Sequence, residues 1–101
     1  MTRAAVTFVV PPRVSASEKA AEAMRALAHA EQASALYSAN GQGASVDMAN
    51  ALRLKALALD SLRRAAPAQA AWRAARDLYA GMDVEAGVAE CDARLAADAG
   101  G

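Results

Sequence analysis

The chain has 101 residues, about a third of them alanine and only four of them aromatic. Eleven acidic and eleven basic residues cancel, so the strong basic excess of a broad nucleic-acid footprint is missing. This length fits one domain, and alanine adds little apolar area, so at about 25 cal/mol per Å² the core is thin and self-association is expected.

Residues 4–10, Ala-Ala-Val-Thr-Phe-Val-Val, are rich in β-branched residues. They read as a strand-like stretch ended by Pro11-Pro12. One strand cannot satisfy its own backbone, so residues 1–14 are expected to form a loosely held extended arm. Phe8 is its candidate contact to a partner. This apolar run is too short for a signal-peptide core or a membrane span.

Ser15-Ala16-Ser17-Glu18 matches a capping box and predicts a helix to about Ala39. Asn40-Gly41-Gln42-Gly43 is its stop. Ala20, Met24, Leu27 and Ala28 are expected on its inner face. A second helix is predicted from after Ser45 to near Ala65. Its two stripes, Leu54-Leu57-Ala58-Ser61-Leu62 and Leu52-Ala56-Leu59, predict a central helix covered on two sides. Pro67 reads as the first residue of a third helix ending near Ala80, with Ala68, Ala71, Trp72, Ala75, Leu78 and Tyr79 inward. Gly81 is its stop and Asp83 the expected N-cap of a fourth. Val84, Val88, Cys91 and Leu95 share one face of that fourth helix, and residues 99–101 are expected to fray. Short connections predict antiparallel neighbours. The fold class is therefore all-α, with about four helices over residues 15–98 behind the arm.

Two stretches are alike. Leu36-Tyr37 and Leu78-Tyr79 stand 42 residues apart, and Met48-Ala49-Asn50-Ala51 stands 40 before Val88-Ala89-Glu90-Cys91. A helical period of this size belongs to solenoids. Over residues 51–96 the chain resembles the tetratricopeptide repeat family. Ala68, Trp72 and Ala75 resemble the small, aromatic, small pattern of that family's second helix. Leu57-Ala58 resembles the large-small pair of its first, and Gly87–Glu90 with Leu95-Ala96 looks like the opening of a following repeat. The interval from Ala58 to Ala68 is about two residues short of the family pattern. No aromatic stands near Ser61, and no proline closes the third helix. The resemblance implies a short stack of antiparallel helical hairpins that binds a protein or peptide, with Leu57, Ala58, Ala68, Trp72, Ala75, Tyr79, Val88 and Leu95 as repeat core. A stack this short leaves apolar ends to be capped by the arm, a polar surface or another molecule.

Chemistry-bearing constellations are sparse. His29 is the single histidine and Cys91 the single cysteine, too few for a zinc site. One cysteine forms no internal disulfide, so a reducing, cytoplasmic compartment is expected. Cys91 lies between Glu90 and Asp92, which disfavour a thiolate, so it reads as core. Gly41-Gln42-Gly43 lacks the lysine and third glycine of phosphate loops. The expectation is a non-enzyme without cofactor or metal. Residues 53–76 carry six cations against Asp60, and residues 83–101 carry five acids against Arg94. These are two solvated faces, or surfaces that attract each other between copies. Arg53, Lys55, Arg73 and Arg76 are candidate contacts for an acidic partner. The expected function is a protein-interaction module that self-associates as a homodimer, with a small-molecule carrier using a pocket near Trp72, or a regulatory subunit of an enzyme, as the alternatives.

Overall fold

The computed structural model describes residues 16–100. It contains α1 (Ala16–Ala39), α2 (Val46–Ser61), α3 (Ala65–Gly81) and α4 (Glu85–Gly100), and no strand among the described residues. The predicted arm, Phe8 within it and the cap at Ser15 lie outside the described residues. Each helix packs mainly on its neighbour in the chain, α1 on α2, α2 on α3 and α3 on α4. None of these helices is long and apolar enough to cross a membrane.

All three turns use one device. A backbone in the left-handed region closes each preceding helix, at Gly41 (φ 77°), Arg63 (φ 58°) and Asp83 (φ 57°). The next N–H in each turn reaches back to a helix carbonyl: Gln42 to Tyr37 at 2.7 Å, Arg64 to Leu59 at 2.9 Å and Val84 to Tyr79 at 2.9 Å. This satisfies carbonyls that the helix end would otherwise leave bare. Only the first turn uses glycine, and this explains three corrections. The second helix stops at Ser61, not near Ala65. The third starts at Ala65, so Pro67 is its third residue, where the helix still needs no N–H from it. Asp83 is the left-handed residue after α3, not the N-cap of α4. Ser45 does cap α2 as its position suggested, with its Oγ accepting from the Met48 N–H at 3.0 Å.

A non-glycine side chain in the left-handed region costs about 1–2 kcal/mol, partly offset because glycine loosens the unfolded chain. Arg63→Gly and Asp83→Gly should therefore each raise stability by about 0.5–1 kcal/mol. Urea unfolding reads this as a higher midpoint at unchanged slope, and lower midpoints in both variants would contradict the turn assignment.

The core lies along α2, α3 and the facing side of α4. Ala49, Ala56 and Leu59 meet Ala68, Ala71, Trp72, Ala75 and Tyr79, and Cys91 completes the cluster. Leu52, Leu57, Leu78, Val88 and Leu95 pack around it half-buried. The alanines let the helix backbones approach closely, and Trp72 supplies the bulk. Leu52-Ala56-Leu59 is thus the face of α2 toward α3. The other predicted stripe is only partly covered: Ala58 is buried, but Leu54 is 52% exposed and Ser61 is also open.

The inward face of the first helix overlaps the predicted one only in part, sharing Ala20 and Leu27 with it. Ala23 and Ala30 are buried with Leu27 beside them, whereas Met24 is 55% exposed and Ala28 is exposed too. Alanine recurs on every side of this helix, so the pattern barely separates one face from another. α4 continues as helix through Gly100, past the predicted start of the tail at Ala99.

Candidate functional site

Two features stand out above the core: a polar seam joining α2, α3 and α4, and an open groove between α1 and α2. The seam begins with Tyr79, whose buried hydroxyl donates to Asn50 Oδ1. Burial pushes that phenol above its ordinary pKa. Arg53 on α2 grips Glu90 on α4 with two hydrogen bonds, Nε to Oε1 and Nη2 to Oε2, the second at 2.9 Å. Trp72 donates its indole N–H to Asp60 Oδ2 at 2.9 Å. Arg94 reaches over from α4, 5.4 Å above the Trp72 ring and 3.9 Å from the same Asp60 oxygen. The seam therefore holds α2 and α4 side by side, with the face of α3 beneath both.

The four cations singled out by sequence are not gathered on one surface. Arg53 faces Glu90, and Arg76 binds Asp92 at 2.6 Å with Asp77 nearby at 3.6 Å. Lys55 stands 3.9 Å from Glu31 on α1. Arg73 is exposed and has no ion-pair partner among the described residues. Three of the four thus meet acids on other helices, which sequence alone could not pair.

The Arg53 guanidinium holds the Glu90 carboxyl below its ordinary pKa, chiefly through the hydrogen bond. A depressed carboxyl adds stability above its unfolded pKa and loses it as pH falls through the folded value. Both side chains are about one-third exposed, so the pair contributes at most about 1 kcal/mol. Arg53→Gln should then be less stable than the parent at neutral pH, and the gap should close as pH falls below the ordinary carboxylate range and Glu90 takes up its proton. Unfolding curves across that range test it; a gap unchanged at low pH would count against the pair.

The groove is the larger open feature, with a volume of about 980 Å³. Ala23, Ala26, Ala30 and Ala33 of α1 and Ala51 and Ala58 of α2 form its floor and sides. Leu54, Leu57 and Tyr37 add bulk, and Lys19, Glu22, His29, Asp47 and Asn50 stand among its polar lining. Over residues 19–37 it follows about 27 Å of α1. No motif in the sequence marks it. The available signal was alanine at 23, 26, 30 and 33, a helical spacing without a large side chain.

A smaller pocket of about 320 Å³ lies against α4, between Ala80, Val84, Val88 and Ala89, with Asp83, Glu85 and Asp92 beside them. Trp72 lines neither pocket, being fully buried in the core. Cys91 is buried, and its thiol pKa is raised first by that burial and then by Glu90 and Asp92. This agrees with the reading of Cys91 as core. Among the described residues no group of three or more His, Cys, Asp or Glu side chains is placed to hold a metal ion.

No family model, curated protein or solved structure matches this chain.

Proposed function

We propose that this chain is a non-catalytic protein-interaction module whose α1–α2 groove receives an α-helix from a partner. The observation that carries the reading is the groove itself: an apolar, alanine-floored channel along two adjacent helices, with Leu54 left half in solvent. Small floor residues leave room for the large side chains of an incoming amphipathic helix. The resemblance of residues 51–96 to tetratricopeptide repeats supports the same reading, because such repeats use their helix surfaces for protein recognition. A small-molecule carrier is less well supported, since the groove is long and open and the aromatic that would anchor a ligand is sealed in the core.

A photo-crosslinking residue placed at Leu54 tests this. The control site is Leu36, which is 62% exposed and does not line the groove. The expected result is protein adducts from Leu54 and few from Leu36. Equal yields from both sites, or none from Leu54, would overturn the assignment of the groove.

A further inference from the structure

The repeat noticed in sequence has a geometric counterpart. Tyr37 and Tyr79 stand 42 residues apart, and each accepts the long backbone bond that closes its helix, as Leu59 also does at the end of α2; the tyrosine and the 42-residue spacing are what set these two turns apart as a pair. Their left-handed residues, Gly41 and Asp83, are also 42 apart. Thus α1 corresponds to α3. By the 40-residue shift α2 corresponds to α4, with Ala51 and Cys91 as equivalent buried positions toward the preceding helix.

The correspondence shows what is missing. The inner face of α3, at Trp72 and Tyr79, is covered from two sides. From α2, Asn50 and Asp60 accept its polar groups. From α4, Gly87 lies under the Tyr79 ring and Arg94 over Trp72. The equivalent residues of α1 are Ala26, Ala30, Ala33 and Tyr37, and they line the groove. Only α2, the counterpart of α4, covers them among the described helices. The groove is the place of a helix that stands to α1 as α2 stands to α3.

One helix of this chain has the matching free face. Ala49 and Ala56, by which α2 meets α3, are fully buried, and their counterparts Ala89 and Ala96 on α4 are exposed. Ala93 between them is exposed as well. On the other side of the contact, Ala68 and Ala75 correspond to Ala26 and Ala33. Alanine thus recurs at all four positions of the α2–α3 contact.

We propose that α4 of one copy lies in the α1–α2 groove of the next, head to tail, continuing the stack from chain to chain. This rests on the groove being a helix receptor and names its occupant. In that register the Tyr37 phenol faces Glu90 of the other copy, as Tyr79 faces Asn50 within one chain. The two surfaces differ, so the contact is heterologous and open-ended. The counterpart of Trp72 is Ala30, so the contact keeps Tyr37 but lacks the tryptophan and is weak, with a dissociation constant on the order of 10–1,000 µM.

Sedimentation equilibrium of the full chain across that range tests the proposal, with two variants at exposed positions. Ala26→Arg fills the groove and Ala93→Arg blocks the face of α4. Circular dichroism and thermal melting establish that each folds. The parent should grow in mass beyond a dimer as concentration rises. Each variant alone should show at least about a tenfold weaker association. Their equimolar mixture should restore a single 1:1 complex, because one brings an intact α4 and the other an intact groove. A parent that stays monomeric, a variant that associates as tightly as the parent, or a mixture that stays monomeric would overturn the proposal. So would a monomeric parent that associates once residues 1–15 are removed, since the chain's own leading segment would then be the occupant. Leu54 adducts to another protein, with no self-association, would leave the groove assignment standing and remove only this one.

Discussion

Trp72→Ala should lower the unfolding free energy by about 3–5 kcal/mol and the melting temperature by at least about 15 °C. The side chain is completely buried and is the largest in the core. Its neighbours include Ala49, Ala56, Ala68, Ala71 and Ala75, which have no side-chain length with which to close the cavity. Its loss also removes the indole donor to Asp60 and the ring beneath Arg94. A domain of this size has only about 5–15 kcal/mol in total, so this one change takes a large share. Trp72→Phe separates the terms: it keeps much of the volume, loses the N–H, and should cost about 1–3 kcal/mol. Denaturant unfolding of both measures the difference. A Trp72→Ala loss below about 1 kcal/mol would mean that the core does not centre on this residue.

Gly87→Ala should also destabilise, although alanine is the better helix former. A Cβ at residue 87 would stand 2.5 Å from Tyr79 Cγ and 2.6–2.7 Å from the two Cδ atoms. The ring cannot step aside, because it is buried and its hydroxyl is tied to Asn50. Overpacking of this kind costs about 1–3 kcal/mol. The gain in helix propensity is at most about 1 kcal/mol, and contacts this short put the overpacking at the upper end of its range, so a loss of about 2 kcal/mol remains. Gly81→Ala is the matched control, since nothing lies within 4 Å of its added carbon. It should be neutral or slightly stabilising. The same thermal melts read both, and a Gly87→Ala chain as stable as the parent would mean that α4 does not press on Tyr79.

These two residues mark how far the sequence was legible. Trp72, with alanines at helical spacing on either side, announces an inward face, and the structure buries that face. The four helices and their order were legible from the Gly41 turn, Pro67 and the periodic apolar positions. The turns at Arg63 and Asp83 were not, because a left-handed backbone on a non-glycine residue leaves no compositional trace. The facing of α1 was not, because alanine on every side gives periodicity nothing to separate. The pairing of Arg53 with Glu90 spans 37 residues, and no local pattern foretells it. The groove escaped for a related reason: it is defined by side chains that are small, and smallness alone does not distinguish a packed seam from an open channel.

The most direct test of the groove is amide hydrogen exchange on the free chain at low concentration. In the structure α3 is covered by both α2 and α4, whereas among the described helices the groove face of α1 is covered by α2 alone. Local opening follows such cover. Residues 26–37 should therefore exchange at least about 100-fold faster than residues 68–79, although α1 is the longest helix. Exchange across α1 as slow as across α3 in the dilute chain would contradict the account, because the groove would then already be filled.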